Sequence, residues 1–163
     1  MHYVKSNLCH VLDLSCIGCC GSKFSSKSTV AKGIQSNTLE FKRVVNDPLD
    51  LESLKSFRDR HPKKKLHESG ICRNLVYNPN SDRIFCPIHP EQCGVDHRHG
   101  DLRTGHCDIL HVCKAAFMFE LWHDEKKKEF IKFLRKKRSK GLSWYEFSQK
   151  MDDDSLLYEF EGI

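Results

Sequence analysis

A chain of 163 residues, 39 % of them apolar, is long enough for one domain with a modest core, yet its nine cysteines and ten histidines exceed what packing needs. Its net charge of +5 is concentrated, because Lys126 to Lys140 holds nine Lys or Arg against one Glu and the remainder is net acidic, which argues against a protein that is basic throughout. No run of about eighteen apolar residues exists to cross a membrane, and the polar start Met1-His2-Tyr3-Val4-Lys5-Ser6-Asn7 does not read as a secretory signal, so a cytoplasmic protein with no membrane partner is expected.

Residues 1–24 form a cysteine-bearing segment ending in Cys16-Ile17-Gly18-Cys19-Cys20-Gly21, and Ser22 to Ser28, rich in Ser and Lys, reads as a loop. Leu39, Phe41, Val44 and Val45 belong to a short element, helix or strand. Asp47-Pro48 offers an N-cap and a first-turn proline for a helix over 48–60, with Leu51, Leu54 and Phe57 at helical spacing and His61-Pro62 as its stop. Strand-like pieces at Asn74–Tyr77 and Arg83–Phe85, separated by Asn78-Pro79-Asn80-Ser81-Asp82, predict a β-hairpin. Pro87 and Pro90 break regular structure around Cys86 and His89, and 94–105 is a loop rich in His, Asp, Arg and Gly.

From Cys107 the pattern turns helical through Trp122, and a second helix is expected over 124–138 with Phe130, Phe133 and Leu134 on its buried side. Ser143 and Glu146 form a capping box that opens a short helix, and 152–160 reads as one or two further turns. The expected fold is α+β and α-rich. An irregular Cys/His-rich metal-binding region with a small hairpin, residues 1–113, is followed by a helical C-terminal region, 114–163, that packs on it within one domain.

In a reducing compartment, metal binding or catalysis explains the thiols better than disulfides, and an odd cysteine count points the same way. The soft ligands fall in three clusters. The first is Cys16-x-x-Cys19-Cys20, where thiols two residues apart can face one ion across a tight turn at Gly18. The second is Cys72 with Cys86-Pro87-Ile88-His89 and Cys93, which repeats the two-residue gap in a proline-fixed knuckle. The third, a candidate second site, comprises His97, His99, His106, Cys107, His111 and Cys113. If 107–113 is helical, Cys107 and His111 share a face at i and i+4; a satisfied helix face is the rival reading for Cys107, His111 and Cys113, and an exposed polar loop is the rival for His97, His99 and His106. Asp96, Asp101 and Asp108 are interleaved there as partners for the second ring nitrogen of a ligating histidine. His2, His10, His61, His67 and His123 read as surface or capping histidines.

The run Cys16-Ile17-Gly18-Cys19-Cys20, followed downstream by Cys72-Arg73-Asn74-Leu75 and by Cys86-Pro87-Ile88-His89 and Cys93, resembles the YkgJ-type cysteine-cluster family over roughly residues 9–95. That resemblance implies a zinc- or iron-chelating protein with Cys16, Cys19, Cys20, Cys72, Cys86 and Cys93 as ligands. The related flagellin lysine methylases imply that such a framework can also house an iron–sulfur cluster.

Four thiolates suit tetrahedral zinc or a 4Fe–4S cluster alike, and His89 among the ligands favours zinc. The expected function is therefore metal binding, with zinc the cofactor and iron or a 4Fe–4S cluster, in a free-standing protein or an accessory enzyme subunit, the alternative. A zinc-stabilised nucleic-acid-binding module using 126–140, with Lys136, Lys137 and Arg138 on phosphates and Trp144 and Tyr145 as stacking faces, is a further alternative. A solvated basic face, with Trp144 and Tyr145 packed on the core, is the favoured reading of those charges, since no nucleic-acid motif accompanies them. No metalloprotease, deaminase, phosphate-loop or nucleophile-elbow motif accompanies the clusters, so catalysis is not expected, and Cys16-x-x-Cys19 lacks the βαβ setting of a thiol oxidoreductase.

Overall fold

Helix α1 spans Lys27–Val44 in the computed structural model of the chain, with Ser26 as its N-cap accepting the Thr29 N–H at 3.4 Å. The structure describes residues 2–3, 6, 8, 14–64, 66–94, 98 and 111–163, with only the backbone given for His2, Tyr3, Glu91 and His111. The loop expected over Ser22 to Ser28 gives way to α1 at Lys27, and the short element expected around Leu39 to Val45 is the last part of that long helix. Its buried residues Val30, Gly33, Ile34 and Asn37 recur at helical spacing and make one inward stripe, which the Ser- and Lys-rich start of the segment conceals from a local reading.

Helix α2 covers Leu51–Asp59 and is capped by Asp50, whose side chain accepts the Glu52 N–H. Asp47, the expected cap, instead closes a turn by accepting from Leu49 N–H at 2.9 Å. Leu54 and Phe57 are fully buried, and Phe57 meets Phe41 of α1 edge to face at 5.2 Å. Strands β2 (Val76–Asn78) and β3 (Arg83–Phe85) form the expected antiparallel hairpin, with Val76 opposite Phe85 and Asn78 opposite Arg83. The Tyr77 N–H donates to Thr38 Oγ1 at 2.9 Å, which holds β2 against α1. A short helix α3, Pro90–Cys93, follows, with Pro90 at its first position, where a missing N–H costs nothing.

Strands β1 (His2–Tyr3) and β4 (His111–Val112) pair antiparallel, and α4 begins only at Lys114, running Lys114–Leu121. The helical placement of His111 one turn after Cys107 is therefore corrected: His111 lies on a strand, and Cys113 is the N-cap of α4. Helix α5 spans Asp124–Ser139, α6 Trp144–Asp152 with the expected Ser143/Glu146 capping box, and α7 Ser155–Glu161. His123 does cap α5, accepting from the Lys126 N–H.

The architecture is an α-rich α+β fold with a small hairpin. Contacts divide it into two compact units: a terminal unit, Met1–Cys19 with Leu110–Ile163, and a central unit, Cys20–Ile109. The terminal unit is cored by Phe119, Phe130, Leu134, Phe147, Met151, Leu156 and Leu157, with Leu8, Leu14 and Cys16 from the N-terminal segment. Trp122 and Phe160 meet Phe130 at 5.2 and 4.9 Å, so the i, i+4 apolar pair Phe130 and Leu134 anchors an aromatic cluster. The central unit buries Val30, Ile34, Leu54, Phe57, Ile71, Val76, Ile84 and Ile88. No helix among the described residues is long and apolar enough to cross a membrane.

Candidate metal centre

Backbone pairing in the central unit brings its cysteines together in two steps. Residues 20–22 run antiparallel to 70–72: Gly21 bridges Ile71, Ser22 N–H donates to Gly70 O and Cys72 N–H to Cys20 O, each at 2.9 Å. This register sets Cys20 opposite Cys72, where side chains share a face. Gly70 makes the approach feasible, because its φ of +90° suits glycine and a Cβ there would stand 2.3 Å from Ser22 O.

The hairpin supplies the second step. Leu75 N–H donates to Cys72 O at 3.2 Å and His89 N–H to Cys86 O at 3.1 Å, so Cys72–Leu75 and Cys86–His89 are equivalent turns. Since Val76 pairs with Phe85, both turns grow from the open end of one hairpin. Cys93 follows one helical turn after His89, its N–H on His89 O at 3.2 Å. Cys72, Cys86, His89 and Cys93 are all buried, His89 to 1 % exposure.

A polar network that the sequence did not announce holds the Cys72 turn. Asn37, fully buried on α1, donates its amide to Cys72 O at 3.0 Å and Leu75 O at 2.9 Å. Arg60 lies over the Phe57 ring at 3.9 Å and donates to Phe57 O at 2.8 Å, to the Glu40 carboxylate and to Arg73 O. Burial works against the charge on Glu40, but hydrogen bonds from Arg60 and from His61, at 3.0 Å, outweigh it and hold the carboxyl below its ordinary value. Burial pulls the Arg60 guanidinium down, and the Glu40 carboxylate works the other way. Replacing Asn37 by Ala is expected to cost about 1–3 kcal/mol by removing the side-chain donor of the Leu75 carbonyl and leaving the Cys72 carbonyl with the Leu75 N–H alone. Urea denaturation checks this, and unchanged stability would remove Asn37 as the support of the turn.

Cys16 and Cys19 belong to the terminal unit, together with Cys113. Ile17 N–H donates to Ser148 Oγ of α6 at 2.9 Å. Burial, then the neighbouring Cys19, pushes the Cys16 thiol up to about 12, while the Gly18 N–H and the Ser148 hydroxyl work the other way. Cys113 is raised too, first by burial and then by Cys19 and Cys16. The N–H groups of Ala115 and Ala116 favour its thiolate without forming a capping bond.

No disulfide links the seven described cysteines, and as placed, no group of three or more described His, Cys, Asp or Glu side chains stands close enough to hold a metal ion. His97, His99, His106 and Cys107 lie outside the described residues, as does the side chain of His111. An open groove of about 460 Å³ in the central unit is lined by Thr38, Phe41, Pro48, Tyr77, Phe85 and Pro87 among others, without a cysteine, histidine or carboxylate in its described lining.

The basic segment is tied into its own unit. Lys137 pairs with Glu159 and Lys126 with Glu161, the latter at 2.8 Å, both acids coming from α7. Arg138 donates to Leu142 O and lies 5.8 Å from the Phe147 ring. Replacing Lys136, Lys137 and Arg138 together by Gln is therefore expected to cost about 1 kcal/mol through lost surface pairing and to leave metal content unchanged. Filter binding to arbitrary RNA at low salt provides the contrast: affinity in the native chain that weakens in the variant, with a flatter salt dependence, would favour the nucleic-acid reading.

No family, no curated relative and no solved structure matches this chain.

Proposed function

We propose that this chain is a metal-binding protein in which Cys72, Cys86, His89 and Cys93, with Cys20 beside Cys72, hold a zinc-class ion in the central unit. The observation that carries this reading is the pair of equivalent turns, Cys72–Leu75 and Cys86–His89, at the open end of one hairpin with their thiols and imidazole buried. Soft thiolates with one imidazole match the chemistry of zinc, for which mixed Cys/His sets are common. The downstream part of the YkgJ-type likeness, Cys72, Cys86 and Cys93, agrees with this proposal.

When bound, such an ion supplies a covalent-strength crosslink between two turns. The protein's part is to hold those turns in place. Asn37 fixes both carbonyl ends of the Cys72 turn, and Arg60, oriented by Glu40, holds the Arg73 carbonyl within it. Ile71, Leu75, Ile84 and Ile88, which flank these cysteines in the chain, are buried with them.

Elemental analysis of protein isolated without oxygen tests the reading. A colourless protein with about one or more zinc per chain is expected. Stoichiometric iron with acid-labile sulfide and a brown colour would replace zinc by the 4Fe–4S alternative, and protein that folds and stays stable with no bound metal would overturn the proposal.

A further inference from the structure

We infer that the outward face of α5, carrying Lys128, Lys132, Arg135, Lys136 and Lys140, docks against the phosphate backbone of double-stranded DNA. This surface belongs to the terminal unit and is independent of the metal proposal, which rests on the central unit alone.

In the sequence Lys126 to Lys140 is one basic run, and the fold divides it into two sets. Lys126 and Lys137 turn toward α7 and pair with Glu161 and Glu159, Arg138 donates to Leu142 O, and Lys127 lies 5.5 Å from the Phe119 ring. All four are half-buried, so their charges are used within the fold. The other set, Lys128, Lys132, Arg135, Lys136 and Lys140, is exposed. Its spacing of i, i+4, i+7, i+8 and i+12 puts the five on one side of the helix, opposite the buried Phe130 and Leu134. At the rise of an α-helix the row is roughly 18 Å long.

Lys128 pairs with Glu125 at 3.1 Å, with both side chains open to solvent. Among the described residues no carboxylate forms an ion pair with Lys132, Arg135, Lys136 or Lys140. The helix dipole favours cations in the last turn, but it does not account for Lys128 and Lys132 earlier along the same line. A rigid row of cations without counter-charges complements a linear polyanion, whose condensed counterions leave as each Lys or Arg meets a phosphate. Since Glu125 and Glu129 flank Lys128, the stretch from Lys132 to Lys140 carries the contact.

The rest of the helix narrows the choice of polyanion. Phe130 and Phe133 turn inward onto Phe160, at 4.9 and 5.5 Å, and α5 has no exposed large hydrophobic side chain. The face therefore gives the bases of a single strand no stacking platform and gives a bilayer no apolar side to bury. Trp144 and Tyr145 are half-buried and packed edge to face on each other at 5.8 Å. What remains is recognition of a duplex backbone. A helix about 10–12 Å across fits the major groove of B-form DNA, about 12 Å wide, whereas that of duplex RNA is too narrow. Contacts to phosphates carry no base information, so the binding selects no sequence.

Fluorescence anisotropy of a labelled DNA duplex of arbitrary sequence, titrated with the full chain as isolated at several salt concentrations, is the test. Lys132→Gln, Arg135→Gln and Lys136→Gln combined are expected to weaken binding on the order of tenfold and to flatten its salt slope by about 2–3. Lys126→Gln, Lys127→Gln and Lys137→Gln combined remove the same charge from the inward set and should stay within about twofold of the native affinity. Equal losses in the two variants would reduce the effect to net charge and overturn the inference. No binding at low salt would overturn it as well, and so would tighter binding to single-stranded DNA, duplex RNA or phosphatidylserine vesicles than to the DNA duplex. Should the inward variant not fold, acetylation of the native chain mapped by mass spectrometry decides. DNA must slow the labelling of Lys132, Lys136 and Lys140 together, and equal rates for the three with and without DNA reject the surface.

Discussion

Cys86→Ser is expected to remove metal and lower the melting temperature in one step. Cys86 is buried at the foot of β3 and is tied through its carbonyl to the His89 turn, so its sulfur is positioned by strand and turn together. A serine hydroxyl keeps the shape but is a poor ligand for a soft ion, and the site does not pre-exist in an unfolded chain. Metal-binding free energy is then folding free energy, on the order of 10 kcal/mol for a structural zinc. Even partial loss is large against a typical total stability of about 5–15 kcal/mol. Metal per chain by elemental analysis and thermal unfolding followed by circular dichroism are the measurements. Wild-type metal content together with wild-type melting would take Cys86 out of any centre. The same paired result is expected for Cys72→Ser, whose turn is held from α1 by Asn37.

Phe130→Ala is expected to destabilise the terminal unit by about 3–5 kcal/mol, because truncating a large buried side chain removes its transfer energy and leaves a cavity. Phe130 is fully buried, with Trp122 at 5.2 Å, Phe160 at 4.9 Å and Phe133 at 6.2 Å around its ring. The loss joins three helices, α4 leading into Trp122, α5 and α7, so relaxation at one wall opens a gap at another. Leu121, on the end of α4 and 64 % exposed, is the control: Leu121→Ala should change stability by no more than about 0.5 kcal/mol. Chemical denaturation of both variants checks the contrast, and equal stability of Phe130→Ala and the native chain would mean that the aromatic cluster does not carry the unit.

Much of this fold can be read locally. Phe130 and Leu134 follow helical spacing, Ser143 and Glu146 satisfy each other across one turn, and the Asn78–Asp82 run has turn chemistry between two strand-like pieces. In each case neighbouring residues contain the whole physical cause. Reading failed where the cause was remote. Within 27–44 only the short element around Leu39 to Val45 shows locally, because the inward stripe of Val30, Gly33, Ile34 and Asn37 gains its meaning from what it packs against. At 111–113 a partner strand, His2–Tyr3, overrides the helical pattern and moves the helix start to Lys114. A preference of a few tenths of a kcal/mol per residue yields readily to tertiary pairing.

The candidate site divides the same way. The sequence by itself determined which soft side chains are candidates and their short spacings, Cys16 with Cys19 and Cys86 with His89, because two-residue spacing across a turn is a local geometric fact. Only the tertiary structure decided which pairs are neighbours. It set Cys20 opposite Cys72 through a β-bridge, brought the Cys72 and Cys86 turns to one hairpin end, and placed Cys113 on the same core as Cys16. It also decided which uncharacteristic residues support them: Asn37 and Arg60 reach the Cys72 turn from helices thirteen and thirty-five positions away in the chain. Ligand chemistry is written in side chains, whereas convergence depends on backbone pairing and burial between distant segments, and those contacts exist only once the chain has folded.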